Sequence, residues 1–199
     1  EEWLVRDQAS FVKCLGLAPR ALAQQMTDRE IRNGMPVSFF VPAHDRPSQY
    51  QPTLSDDEAV ATVVQGMRRI WQDKDTQAIR DLYFAGAALH APGGDVLYGH
   101  TDIDTFVLGY LASFPDAVLK IESARVNRNP EQTVRVAVRW SLTASHSGYG
   151  HFGEPTGAPV YVMAISHFNL TCNKVTAEFM VTDEVSIWKQ IQAHVASHA

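Results

Sequence analysis

From Val134 the chain alternates: Val134, Val136, Val138, Trp140 and Leu142 fall on one side of an extended segment, with Arg135, Arg139, Ser141 and Thr143 on the other. A period of two is that of a half-buried strand in an antiparallel sheet. Segments 160–170 and 175–183 are also strand-like, and Thr171-Cys172-Asn173-Lys174 between them reads as a hairpin turn.

Upstream the period is helical. Ser55 stands three residues before Glu58, a capping-box pattern, and Val60, Val63, Val64, Met67, Ile70 and Trp71 follow at the spacing of one helix face. Further helices are predicted at about 75–82 and 102–113, the latter stopping before Phe114-Pro115, and at about 184–195. Helices first and long paired strands afterwards predict an α+β domain, a curved antiparallel sheet with helices on one face.

The complete domain is expected at 55–199. Before it, 18–32 is helix-like, and Met35-Pro36, Val41-Pro42, Arg46-Pro47 and Gln51-Pro52 make 33–54 a linker. Glu2-Trp3-Leu4-Val5-Arg6-Asp7 with Ser10-Phe11-Val12-Lys13 resembles Glu178-Phe179-Met180-Val181-Thr182-Asp183 with Ser186-Ile187-Trp188-Lys189. Residues 1–32 are therefore expected to be the strand and helix ending a preceding domain copy, packed against their own domain or exchanged with a neighbouring chain. An ordinary amphipathic strand-to-helix junction is the competing explanation.

Composition narrows the function classes. With 45% hydrophobic and 20% charged residues the chain is an ordinary globular protein, and no apolar run approaches the ~18 residues of a membrane span. A net charge of -5 would repel a phosphate backbone, so neither nucleic acid nor membrane is an expected partner. Cys14 and Cys172 are expected as reduced, buried thiols in a cytoplasmic protein. Among eight histidines, His146 and His151 stand five apart in a glycine-rich loop without Cys-x-x-Cys spacing, and no phosphate-binding loop follows. Neither a metal nor a cofactor is expected.

His90-Ala91-Pro92-Gly93-Gly94 before Tyr98-Gly99-His100, Phe114-Pro115-Asp116, Val138-Arg139-Trp140-Ser141-Leu142-Thr143 with His146-Ser147-Gly148, Pro155-Thr156-Gly157-Ala158-Pro159-Val160, and 174–183 together carry a resemblance. From about Ser55 onward the chain resembles the SnoaL-like polyketide cyclases and ester cyclases of the nuclear-transport-factor-two-like superfamily. The resemblance implies a cone-shaped domain with a pocket between sheet and helices. It also implies a homodimer, expected here through the outer sheet face carrying Arg135, Arg139 and Thr143. The cyclases use the Asp of a Trp-Asp pair on the last strand as acid/base, and the matching positions here are Phe179 and Met180. Any acid/base chemistry must then come from another group.

Pairing 170 with 175 across the turn puts His167 opposite Glu178 on one face with Tyr161, Met163, Met180 and Thr182. A His held by a carboxylate is a suitable general base, so His167 and Glu178 are the expected catalytic pair; a structural cross-strand pair is the competing reading. His146 continues the apolar series from Val134 and is expected at the interior or pocket mouth, and His90 at the pocket rim. Trp140, Tyr161, Met163 and Met180 would line a pocket for a hydrophobic ring, unless they are simply core. The expected function is cofactor-independent binding or acid/base transformation of a small hydrophobic, carbonyl-bearing, polyketide-like molecule. The alternative is a ligand-binding or dimerisation module without turnover.

Overall fold

The computed structural model describes residues 4–35 and 52–198. Its elements run α1 (Gln8–Cys14), α2 (Pro19–Arg32), β1 (Thr53–Leu54), α3 (Glu58–Met67), α4 (Ala78–Leu82), β2 (Tyr83–His90), β3 (Val96–Tyr98) and α5 (Gly99–Ser113). They continue with β4 (Val118–Asn127), β5 (Val134–Ser145), β6 (Pro159–Thr171), β7 (Lys174–Thr182) and α6 (Glu184–His198). The fold is α+β, and the longest strands are the four between residues 118 and 182.

The sheet has the order β1-β4-β5-β6-β7-β2-β3 and does not close. Its centre, β4 to β7, is antiparallel as the alternation predicts. The flanks depart from an all-antiparallel sheet: β2 joins β7 in parallel, and β1 adds parallel to β4 at Ser123 and Ala124. Expected linker residues Thr53 and Leu54 are thus a short edge strand, and residues 36–51 lie outside the described residues.

On β5, Val136, Val138, Trp140 and Leu142 are buried against the helices, because alternate side chains of a strand point to one face. α3 begins two residues later than its capping box suggests: Asp57, not Ser55, caps it by accepting from Ala59 N at 2.8 Å. It continues as a π-helical turn, Arg68–Gln72, which buries Ile70 and Trp71. Trp71 lies against Trp140, ring centroids 5.3 Å apart, and Tyr110, Phe114, Phe152 and Phe168 complete an aromatic core.

The amino-terminal region differs from the expected strand and helix. Leu4–Asp7 forms no strand, while Glu2 and Trp3 lie outside the described residues. The helix does form, and the resemblance to the chain's end is physical at one point: Asp7 caps α1 through Ser10 N at 2.9 Å, and Asp183 accepts from Ser186 N at 3.1 Å at the start of α6. α1 and α2 pack on α6 through a small second core of Val12, Ala23 and Val185, with Leu22 and Trp188 beside it. Cys14 and Cys172 are free but exposed, correcting the expectation of buried thiols: one ends a surface helix, the other sits in the β6–β7 turn.

Candidate functional site

A cleft of about 510 Å³ opens where α5, the β2–β3 turn, the β5–β6 loop and the first residue of α6 meet. α5 supplies Asp102, Thr105, Phe106 and Gly109, the i, i+3, i+4, i+7 positions of one helix face. The turn supplies Ala91, Pro92 and Asp95, followed by Leu97 on β3; the loop supplies Gly150 and His151; α6 supplies Glu184; and α1 supplies Lys13.

The β5–β6 loop is laid onto α5 by hydrogen bonds from its main-chain N–H groups. His151 N donates to Gly109 O at 2.8 Å, and Phe152 N donates to Ser113 Oγ at 3.0 Å. Phe152 is buried among Tyr110, Phe114 and Trp188, at centroid distances of 5.3, 5.2 and 5.2 Å. Such an anchor turns the preceding side chain, His151, toward the cleft wall, where its ring stacks on Tyr110 at 5.3 Å.

Two groups converge on one buried oxygen. His151 Nε2 lies 3.0 Å from Glu184 Oε1, and Tyr110 Oη donates to the same oxygen at 2.9 Å. Burial, and then the neighbouring Glu184 charge, push the Tyr110 hydroxyl well above its ordinary pKa, so it keeps its proton and remains a donor. With Glu184 as acceptor, the imidazole proton is placed on Nε2 and Nδ1 is the basic nitrogen. The Glu184 side chain is 5% exposed and that of His151 41%, so His151 is the member of the group a ligand can reach.

A second polar group is internal. Trp140 Nε1 donates to Ser166 Oγ at 3.1 Å, Ser166 bonds Glu178, and Tyr83 Oη donates to Glu178 Oε2 at 2.5 Å. Burial pushes the Glu178 carboxyl up, against the two hydrogen bonds that pull it down.

The expected pair of His167 and Glu178 is not brought together. Leu170 pairs with Val175 as read from the sequence, but a β-bulge at Thr176 moves the register by one residue, so that Asn169 meets Ala177. Glu178 therefore faces Phe168 in the interior, and His167 faces Phe179 on the outer side, where it is exposed. Tyr161 and Met163 share that outer side and line a smaller cavity of about 210 Å³ with Leu4, Val5, Asp183 and Gln190. Trp140 and Met180 are core, with Met180 opposite Ser166. His90 stacks on Phe179, centroids 4.2 Å apart, rather than standing at the cleft rim.

His146 is interior as expected. Burial lowers its pKa, its Nδ1 lies 3.1 Å from Thr156 Oγ1, and its carbonyl accepts from Thr156 N and Gly157 N. It closes the β5–β6 loop and does not line the cleft. Sequence reading missed Glu184, Tyr110, Phe106 and Lys13, and weighed His151 only as a metal ligand. Its one usable signal was a His in a glycine-rich loop. The four-residue spacing of His194 and His198 on α6 also went unread; their rings are 4.1 Å apart, but no third ligand joins them among the described residues.

A sequence profile of the SnoaL-like polyketide cyclase family matches residues 61–191, more than half of the chain. No curated protein matches it. Among solved structures, a candidate polyketide cyclase from Acidithiobacillus ferrooxidans superposes with TM-score 0.57 at 18% identity, covering 69% of this chain and 96% of that one. IdmH, a candidate polyketide cyclase from Streptomyces antibioticus, gives 0.54 at 17% identity over 68% and 99% of the two chains. AclR, a candidate hydroxylase from Streptomyces galilaeus, gives 0.57 at 21% identity over 69% and 82%. At these identities the superpositions establish a shared fold and leave the activity to the site. On the match over residues 61–191, the chain belongs to the SnoaL-like polyketide cyclase family.

Proposed function

We propose that the protein binds a small hydrophobic, carbonyl-bearing molecule in the cleft beside α5 and moves a proton on it by acid/base chemistry without a cofactor. The observation that carries this reading is the bond between His151 Nε2 and Glu184 Oε1, beside a cleft that His151 lines. Nδ1 of His151 takes a proton from the carbon next to the carbonyl, and the C–H electron pair moves into an enolate. The Glu184 carboxylate, steadied by Tyr110, balances the imidazolium that results. The same proton returned to another carbon completes an isomerisation. Phe106, Leu97 and Pro92 give the apolar contact. The family's carboxylate position on β7 holds Met180, which is buried, so in this reading the base has moved to the cleft mouth.

A second reading, ligand binding without turnover, draws on the same Met180 and on the filled interior around Trp140. In either case we propose a homodimer built on the outer sheet face. The deciding measurement is exchange of the α-hydrogens of 2-tetralone for deuterium, followed by NMR. His151→Gln should slow protein-catalysed exchange by about 100-fold or more, as loss of a general base does. Exchange catalysed equally by both proteins would refute His151 as the base, and binding without any catalysed exchange would establish the second reading.

A further inference from the structure

The family match begins at residue 61, yet the cleft has a wall that comes from before it. α1 is held over the β2–β3 turn: both oxygens of Asp7 accept from Gly93 N, at 3.1 and 3.0 Å, while Val12 anchors the helix against Val185 of α6. The turn under the helix is bare. A Cβ on Gly93 would stand 2.6 Å from Lys13 Nζ, and one on Gly94 2.8 Å from Ser10 Oγ; both glycines also have φ of +84°, in the left-handed region.

The docking places a cation near Glu184, the carboxylate that holds the proposed base. Lys13 Nζ lies 2.6 Å and Glu184 Oε2 3.8 Å from that same point above Gly93, so two cleft-lining groups, an ammonium and a carboxylate, flank one glycine of the turn. Among the described residues, Lys13 is the one Lys or Arg that lines the cleft. Its partner is Asp95 at 3.1 Å, with side chains 43% and 66% exposed. Water screens so open a pair, and little holds Lys13 to Asp95 against a better acceptor. An oxygen gaining negative charge inside the cleft is such an acceptor, because it is less well solvated there.

From this we infer that Lys13 is the oxygen-binding residue of the cleft: its ammonium leaves Asp95 to hydrogen-bond the substrate's carbonyl oxygen as that oxygen becomes an enolate. The inference rests on the cleft being the site and on His151 removing the proton. It makes α1 a working part of the site, supplied by sequence outside the family match. Substrates carrying an enolisable carbonyl are then favoured over hydrocarbons of the same shape.

The test uses the whole chain and two fluorescent probes in mildly alkaline buffer, where the first probe is ionised. One is 6-cyano-2-naphthol, whose phenolate mimics an enolate; the other is its O-methyl ether, which cannot carry that charge. Lys13→Met should weaken phenolate binding by about tenfold or more and leave the ether's affinity within about twofold, the loss expected of a charged hydrogen bond. Lys13→Arg should restore most of the difference, and Asp95→Asn should not weaken the phenolate. If Lys13→Met affects both probes alike, or neither, the role of Lys13 is overturned while the cleft reading stands. A wild-type protein that takes up neither probe overturns both.

Discussion

Gly150→Ala tests whether the β5–β6 loop must lie on α5 to make the site. A Cβ at Gly150 would come within 2.4 Å of Gly109 O, 2.5 Å of Ser113 N and 2.5 Å of Ser113 Oγ. Two of these three atoms are backbone of one helix and cannot turn aside, so the loop must lift. Overpacking of this kind costs about 1–3 kcal/mol. Lifting also strains the bonds from His151 N to Gly109 O and from Phe152 N to Ser113 Oγ, each worth about 1 kcal/mol. A total of about 3–5 kcal/mol in a chain of this size corresponds to a fall in Tm of roughly 6–20 °C. The local effect is larger than the global one, because His151 is carried away from Glu184 Oε1, now 3.0 Å distant, and probe binding and proton exchange should fall with it. Gly153→Ala is the control in the same loop: nothing lies within 4 Å of its Cβ, and its φ of +78° costs only about 1 kcal/mol. Thermal unfolding and probe binding should rank Gly150→Ala well below Gly153→Ala. Equal effects, or a Gly150→Ala variant with wild-type Tm and binding, would refute the contact argument.

The buried Glu178 sets a pH dependence. Its carboxyl is raised by burial, so the fold favours the protonated form; that stability is fully present below the ordinary carboxyl pKa and is lost as pH rises through the raised value. Glu178→Gln, neutral throughout, should gain in Tm relative to wild type as pH goes from about 4 to 8, with Asp183 contributing the same sign to both proteins. Parallel curves would show that Glu178 does not carry the effect. Sedimentation should give a homodimer at micromolar concentration, and Arg139→Glu on the outer face should weaken it; a monomeric wild type would end that proposal.

Chain periodicity alone determined the α+β class, the places of β5, β6, β7, α5 and α6, and the inward face of β5, because a strand's side chains alternate regardless of what they pack on. The turn at 171–174 and the 170 to 175 pairing were equally local. What came next was not: one bulge at Thr176 reverses the faces of every later residue of β7 relative to β6, and no pattern in the sequence marks it. Hence Glu178 went inside with Tyr83, and His167 went outside. His151 and Glu184 are 33 residues apart, and Lys13 lies outside the family match; they meet because Phe152 is buried against α5 and Val12 against α6. Burial of those two anchors is a property of the assembled core, so the site became visible only when three separate packings were superimposed on one another.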